Sequence, residues 1–313
     1  MNRRTALLAG AAFATFFPAR ARAASTLRFA TSPSDSGALV FEANAQGFLK
    51  AANVSPDIQY LANGSASIAA LLGGEIDVTG SNMLSVVQAW EKDIPIQIIA
   101  PQAVYRRGQA STLLLCQADS PARTGRDLNG KTVAVNALGG SPHIAVEAWI
   151  DKNGGDSTTV KYLEMTFTAM VPALAAKRID AGIMNEPLIT DALGDGARIL
   201  GDAYGAIAPY WLTDCLVATE SYIAAHPDDV RNFSQALHQT AIWANRNHDK
   251  TAVIVANMLK LDLATVQKMH RAVFAEQLTP QMIQPVIDAG LHYGAISKPM
   301  RAEELISREA ATG

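Results

Sequence analysis

The sequence predicts an α/β protein with two doubly wound lobes, a central cleft, two hinge crossovers and a helical C-terminal tail. Residues 64–80 and 167–183 follow one pattern, a helix, a short turn and a strand. Another strand and helix precede each copy, so each half reads as β-α-β-α-β, the unit that builds a parallel sheet covered on both faces. Four helical patterns follow after about residue 227.

The two copies are in register over helix and strand. Leu71 and Leu174 are 103 residues apart, and so are Asp77 and Asp180. The duplicated placement of the two aspartates favours a shared structural role over ligand contact. Two lobes in one chain imply a cleft, and ligands of such sheets bind beyond the carboxyl ends of the strands.

The first lobe is predicted from alternating and continuous apolar runs broken by turn residues. Asn63, Gly64 and Ser65 interrupt the second strand before a helix, and residues 94–100 are apolar as in a strand covered on both faces. The predicted strands are 26–31, 56–61, 76–80, 94–100 and 111–117, and the predicted helices are 38–51, one from Gly64 and one ending near Trp90.

The second lobe opens at the turn formed by residues 127–131. A glycine-rich loop then leads into a helix in which Pro142 fits the first helical position and Ser141 the cap. The predicted strands are 132–136, 160–163, 179–184 and 199–200, and the tail helices are 227–245, 250–259, 263–274 and 280–292. We therefore assign residues 24–117 and 216–313 to the first lobe and 118–215 to the second.

The N-terminal residues predict an export signal that is cleaved near Ala23. Arg3 and Arg4 precede an apolar run of 12 residues, and Ala21-Arg22-Ala23 has the small-x-small pattern of a cleavage site. The run is shorter than the roughly 20 residues that a spanning helix needs, so we expect no membrane span in the mature form. The paired arginines resemble a twin-arginine signal, but the apolar run would also serve the general secretion route.

Composition narrows the classes of partner. The whole chain has 26 basic and 29 acidic side chains, and removing residues 1–23 leaves 22 against 29. A net charge of −7 in the mature chain argues against a nucleic-acid partner.

Cys116 and Cys215, the only cysteines, could form a disulfide if strands at the two crossovers are neighbours, or could be buried free thiols.

Several of these segments together resemble a known family. They are the export signal, residues 64–77, residues 127–135, and Ile179-Asp180-Ala181 running into Glu186-Pro187. The chain is similar to the periplasmic solute-binding proteins of ABC importers for aliphatic sulfonates, nitrate and thiamine-precursor pyrimidines. This resemblance implies the type II periplasmic binding fold. The cysteine-rich motif of the pyrimidine-synthase relatives is absent from the sequence, which puts an enzymatic role of that kind in doubt.

The resemblance also implies where a ligand binds. The matching positions follow strands or begin helices, namely Ser32, Pro33, Gly64, Ser65, Ser81, Asn82, Ser141, His143, Asn185 and Glu186. Trp211, near the return crossover, is a further candidate, because an aromatic ring there would cover a ligand face or pack in the core.

The chemistry of these positions leaves the charge of the ligand open. Helix N-termini at Gly64, Ser81 and Ser141 offer unpaired N–H groups, which favour an anion such as a sulfonate or carboxylate. Glu186 favours a donor such as an amine or aminopyrimidine, or only stabilises a helix start. His143 either bonds an anion or is a solvated residue at a helix start.

We therefore expect a monomeric, periplasmic binding protein that captures a small organic solute, most simply an anion, and delivers it to an ABC permease in the inner membrane. The alternatives are a neutral aminopyrimidine ligand, a periplasmic enzyme of pyrimidine metabolism, and a sensory module for a membrane receptor. No catalytic residue, cofactor or metal site is predicted, since the sequence carries none of the usual hydrolase, zinc or phosphate-loop motifs.

Overall fold

The computed structural model of the protein describes residues 25–61 and 64–310. The predicted export signal and Asn63 lie outside the described residues. Within those ranges, every helix is too short or too polar to cross a bilayer.

The chain begins with four strands and four helices that alternate as the repeat predicts. They are β1 (Ser25–Thr31), α1 (Leu39–Ala45), α2 (Phe48–Ala51), β2 (Val54–Tyr60), α3 (Gly64–Leu72), β3 (Val78–Asn82), α4 (Met83–Glu91) and β4 (Ile96–Pro101). The predicted helix over residues 38–51 is broken in two, because Gly47 takes a left-handed conformation with φ of 80°.

The middle of the chain repeats this order after one hinge strand. Its elements are β5 (Ala103–Arg106), β6 (Thr112–Gln117), β7 (Thr132–Val135), α5 (Ser141–Lys152), β8 (Lys161–Glu164), α6 (Phe167–Ala175), β9 (Ala181–Asn185), α7 (Leu188–Gly194) and β10 (Ala197–Gly201).

The last third returns to the first lobe and ends in the helical tail. Its elements are β11 (Tyr210–Leu212), β12 (Asp214–Thr219), α8 (Glu220–Ala225), α9 (Pro227–Asn245), α10 (His248–Leu259), α11 (Leu263–Lys268), β13 (Val273–Phe274) and α12 (Pro280–His292). The helix predicted over residues 263–274 stops at Lys268, and its last residues form β13 instead.

The strands form two five-stranded sheets of the same topology. The first has the order β2-β1-β3-β12-β4 and the second β8-β7-β9-β6-β10. In each, the first three strands of the repeat are parallel and the inserted fourth strand is antiparallel to its neighbours. The duplicated β-α-β-α-β unit therefore produces two equivalent lobes.

A small third sheet joins the lobes. Strands β11, β5 and β13 pair antiparallel in it, and β5 and β11 connect the two large sheets in opposite directions along the chain. Strand β6 belongs to the second sheet, and Asp214 and Cys215 belong to the first. The predicted lobe limits remain proposals, and the sheets favour crossovers within β5 and β11.

The cysteine alternatives are resolved by these memberships. Cys116 lies in β6 and Cys215 in β12, in different sheets, and both are buried free thiols. The disulfide hypothesis is therefore wrong for this structure, because the two strands are not neighbours.

Asp77 and Asp180 occupy equivalent positions in the two lobes and make equivalent hydrogen bonds. Asp77 accepts hydrogen bonds from the backbone N–H of Arg28, at 2.9 Å, and from its guanidinium group. Asp180 accepts in the same way from the N–H of Thr132, at 2.9 Å. Each carboxylate thus ties the turn before the third strand to the first strand of its own lobe.

Three of the four hydrophobic clusters among the described residues show how the lobes and the tail pack. One packs β1 and α1 of the first lobe against α9 through Phe29, Leu39 and Phe233, and another fills the second lobe around Met170. The third spans both lobes, since it includes side chains from α4, α5 and α12. The tail thus packs on the first lobe and across to the second.

Candidate functional site

A cleft of about 370 Å³ lies between the two lobes. Its walls are the carboxyl ends of the parallel strands: β1 ends at Thr31, β3 at Asn82 and β9 at Asn185, and Asn136 directly follows β7. A volume of this size suits a small organic molecule, and the position is the expected one for open α/β sheets.

Six of the sequence-predicted site residues line this cleft. From the first lobe they are Ser32, Pro33, Gly64, Ser81 and Asn82, and from the second lobe Asn185. Ser65 lies in the first turn of α3 beside Gly64, and its side chain is outside the described residues. Contact of these residues with a ligand remains a proposal.

Gly64 allows two helix starts to approach closely. A Cβ atom built on Gly64 would lie 2.6 Å from Ser81 Oγ and 2.8 Å from Asn82 Nδ2. Any larger residue would push α3 away from the start of α4, so the glycine shapes this wall of the cleft.

Ser141 is buried and joins the lobes rather than lining the cleft. It is the first residue of α5, which Gly140 precedes as the N-cap, so Ser141 is not the cap that the sequence predicted. Its hydroxyl donates to Asn82 Oδ1 at 3.2 Å and accepts from the N–H of Leu84 at 3.4 Å. Its neighbour Pro142 lines the cleft instead.

His143 also lies away from the cleft. Its Nδ1 accepts from the N–H of Gly139 at 2.9 Å, and its ring meets the edge of Tyr162 with centroids 4.2 Å apart. Burial lowers the pKa of His143 to about 4, so the ring is neutral at ordinary pH. Neither the solvated histidine nor the anion ligand that the sequence suggested describes this side chain.

Glu186 is buried and bridges the second lobe to the tail. Its Oε1 accepts from the backbone N–H of His270 at 2.8 Å, and Thr190 donates to the same carboxylate through its N–H and hydroxyl. Burial raises the pKa of Glu186, and these hydrogen bonds oppose that shift. The side chain is thus occupied by protein donors.

Trp211 belongs to the core. It is fully buried, its indole N–H donates to the carbonyl of Tyr204 at 3.1 Å, and its ring lies 4.9 Å from that of Tyr204. Tyr204 lines the cleft, so Trp211 supports the wall from behind.

The sequence reasoning missed several lining residues, and the repeat contained the signal for two of them. Phe167 and Thr168 lie 103 residues after Gly64 and Ser65, as the predicted residue Asn185 lies 103 after Asn82. Further lining residues that were not predicted are Leu61, Gln102, Thr112, Asn136, Thr166, Leu188, Tyr204 and Asp214.

Two equivalent helix starts face the cleft, one from each lobe. Gly64 begins α3, and Thr166 is the N-cap of α6 without a side-chain cap hydrogen bond. The start of α4 is different, because the N–H groups of Met83, Leu84 and Ser85 are bonded to protein acceptors. Helix α6 is therefore a start that can attract an acceptor group of a ligand.

The fixed charge of the cleft is negative. Asp214 is the single ionisable acid among its described lining residues, and lysine, arginine and histidine are absent from that lining. Burial raises the pKa of Asp214 to about 6, while a hydrogen bond of 2.8 Å from Thr213 Oγ1 opposes the shift. The carboxylate forms no ion pair within the described part of the chain.

A side pocket of about 20 Å³ opens at the inner end of the cleft, near the hinge strands. It shares Ser36, Thr112, Asn185, Tyr204 and Asp214 with the main cleft. Space of this size holds one water-sized group. Across residues 25–61 and 64–310, no three or more His, Cys, Asp and Glu side chains gather as a metal site would require.

Comparison with known proteins gives a family. The family model described as "NMT1/THI5 like" matches residues 36–251. A Brachyspira hyodysenteriae protein that is named as an ABC transporter periplasmic binding protein is 32% identical to this chain over 155 residues. That match covers 49% of this chain and 38% of the relative's length.

Solved structures show the same fold at low identity. The alkanesulfonate-binding protein SsuA from Xanthomonas axonopodis pv. citri, bound to MOPS, superposes with a TM-score of 0.76 at 20% identity, covering 90% of this chain and 98% of that one. The periplasmic nitrate-binding protein NrtA from Synechocystis PCC 6803 gives 0.77 at 12%, covering 91% and 86%. The desulfurization enzyme DszB shares the fold too, with a TM-score of 0.67 at 12% identity, covering 90% and 96%.

Proposed function

The chain belongs to the NMT1/THI5-like family, and on that premise we propose that it is the solute-binding component of an ABC importer. Its two lobes close on a small organic solute in the cleft and present it to a permease in the inner membrane. The named relatives support this role, since one is named as an ABC transporter periplasmic binding protein and two others as alkanesulfonate-binding and nitrate-binding proteins.

The observation that carries the proposal is a cleft whose two walls come from different lobes and are built from equivalent elements. Gly64 and Asn82 form one wall, and Thr168 and Asn185 form the other. A solute that contacts both walls binds the closed state more tightly than the open state, and this difference shifts the equilibrium between them.

The proposed solute presents an acceptor group to the start of α6, where an anionic group such as a sulfonate or carboxylate gains most. Its body packs on Leu61, Phe167 and Leu188, the apolar part of the lining. The alternative is a neutral aminopyrimidine, which Asn82 and Asn185 can pair with through their amide groups.

The remaining features of the proposal concern place and partner. We propose that residues 1–23 direct export, that the mature chain is a periplasmic monomer, and that its partner is a permease. A membrane sensor in place of the permease is the alternative, and deletion of the cognate permease distinguishes them by abolishing uptake while leaving a sensory response.

The test is binding by the exported chain. Native mass spectrometry shows whether a solute co-purifies, and thermal-shift assays with alkanesulfonates, nitrate, carboxylates and aminopyrimidines rank the classes. Thr168→Asp adds a charge at an exposed helix start that lines the cleft. For an anionic solute, we expect affinity to fall by roughly 10-fold or more, while the control Thr168→Asn retains it.

The results separate the possibilities. Equal affinity of the two Thr168 variants for the bound solute contradicts an anion at α6. Chemical conversion of the solute on incubation with the protein contradicts a purely binding role, whereas its recovery unchanged supports transport.

A further inference from the structure

The side pocket at the inner end of the cleft is too small for a ligand of its own. At about 20 Å³, it admits one water-sized group, and it continues into the main cleft through Thr112, Asn185 and Asp214. A single substituent of a solute in the cleft therefore fits there.

The lining of this pocket has an excess of negative charge. Asp35, Glu186 and Asp214 contribute carboxyl groups, and its described lining contains no basic side chain. The other ionisable groups there, Tyr105 and Tyr204, are phenols.

Two of the three carboxylates are already satisfied by the protein. Asp35 Oδ1 is 2.9 Å from Arg271 Nε, and its Oδ2 accepts from the N–H of Ala272. Glu186 accepts from Thr190 and from His270.

Asp214 is the exception, because it has the hydroxyl of Thr213 as donor but no ion pair within the described residues. A half-buried carboxylate without a cation is unfavourable, and a cation on the ligand removes that penalty.

Resting on the proposed function, we propose that the solute carries a protonated amino group that occupies the side pocket and pairs with Asp214. An ammonium group has three donors and no acceptor. Asp214, Thr112 and Asn185 all line this pocket, and a carboxylate, a hydroxyl and a side-chain amide can each supply an acceptor.

The proposal gives the solute two chemically different ends. The helix start of α6 attracts an acceptor group, and Asp214 attracts a donor that carries positive charge. The preferred class is therefore a zwitterionic solute, with an amine at one end and an acid or polar acceptor at the other. A water molecule in the side pocket would fill it but would leave the charge of Asp214 unbalanced.

The experiment compares isosteric probe pairs on the exported chain by isothermal titration and thermal shift. The pairs are 2-aminoethanesulfonate with propane-1-sulfonate, 3-aminopropanoate with butanoate, and 4-(aminomethyl)benzoate with 4-ethylbenzoate. In the pair that binds, we expect the amine to bind about 10- to 100-fold more tightly than its methyl isostere, the value of one charge-assisted hydrogen-bonded pair.

Two variants locate the effect. Asp214→Asn removes the carboxylate, and we expect it to abolish the preference for the amine while changing affinity for the isostere less than about 3-fold. Asp57→Asn makes the same change of charge at an exposed position in β2, and we expect it to change neither affinity.

The outcomes distinguish this inference from the proposed function. Equal binding of both members of every pair by the wild-type protein, or an amine preference that survives in Asp214→Asn, overturns the amino subsite but leaves solute binding intact. Absence of binding by every probe, together with no solute in native mass spectra, contradicts solute binding itself. The wild-type comparison needs no variant, so poor folding of Asp214→Asn does not block the test.

Discussion

Glu42 gives the sharpest prediction for the stability of the first lobe. This side chain of α1 is fully buried, and neither of its carboxylate oxygens has a hydrogen-bond partner within the described residues. Arg271 Nη2 lies 4.0 Å from Oε1 of Glu42. Arg271 also forms an ion pair with Asp35, which is a nearby negative charge. Desolvation, reinforced by Asp35 and opposed by Arg271, raises the pKa of Glu42 to about 8 from an ordinary 4.5.

The pH dependence of the free energy of unfolding follows from the difference between the pKa of Glu42 in the folded chain and in the unfolded chain. Between pH 4.5 and about 8, the unfolded chain has released the Glu42 proton that the folded chain retains, so the free energy of unfolding falls as pH rises. At about 1.4 kcal/mol for each unit of pKa, the loss is complete above pH 8 and reaches about 5 kcal/mol. This value is an upper limit, since water that reaches the ionised carboxylate recovers part of it.

Glu42→Gln removes this dependence and keeps the volume of the side chain. We expect the difference in free energy of unfolding between Glu42→Gln and wild type to shift by up to about 4 kcal/mol in favour of the variant between pH 5 and pH 8.5. Urea unfolding followed by tryptophan fluorescence measures it, and other titrating groups cancel in the difference. The control is Glu75→Gln, at an exposed position, where we expect less than about 0.5 kcal/mol. Parallel pH profiles for wild type and Glu42→Gln would refute the reasoning.

Two further substitutions test the contacts between elements. Glu186→Ala removes the carboxylate that accepts from the N–H of His270, and we expect the free energy of unfolding to fall by about 2–4 kcal/mol. The loss should be smaller for Glu186→Gln, which retains one acceptor. A loss below about 0.5 kcal/mol for the alanine variant in urea titrations would show that this contact contributes little. Gly201→Ala places a Cβ atom 2.4 Å from the ring of Trp149, and calorimetry should show a loss of about 1–3 kcal/mol. The matched control is Gly194→Ala, where nothing lies within 4 Å, and an equal loss in both variants would contradict a steric cause.

The sheet topology was predictable because it depends on a pattern that occurs twice. The 103-residue offset predicted two equivalent units, and the lobes share one strand order. Apolar periodicity also located α9 and α12 at the predicted residues. The third strands of the repeat, by contrast, begin two residues later than predicted. Ile76 and Ile179 are buried residues of the preceding turns, and burial alone does not distinguish a turn from a strand.

The hinge was not predictable from the same pattern. Strands β5, β11 and β13 are two to four residues long and pair only with one another, so each is defined by its partners rather than by its own sequence. The cysteine hypothesis failed for the related reason that β6 crosses into the second sheet. Sequence separation does not indicate on which side of a crossover a strand pairs.

The candidate site shows the same division between what the pattern determines and what depends on packing. Gly64, Asn82 and Asn185, predicted as ligand-binding at strand ends and helix starts, line the cleft, and their contact with a ligand stays a prediction. Ser141 and Trp211 are buried instead, because each donates a hydrogen bond to a residue of another element. Ser141 donates to Asn82, and Trp211 donates to the carbonyl of Tyr204. A polar residue at a helix start faces a ligand only when no protein group reaches it first.

The two walls of the cleft are related by the repeat but are not alike. Gly64 gives the first lobe a bare backbone at its helix start, whereas the equivalent position in the second lobe is Phe167, which supplies an apolar ring. Asn82 and Asn185 keep the same amide at equivalent strand ends, yet Asn82 is bonded to Ser85 and Ser141. The duplicated frame thus fixes where a solute binds, and the substitutions between its halves decide which solute fits. An asymmetric cleft of this kind suits a solute with two chemically different ends.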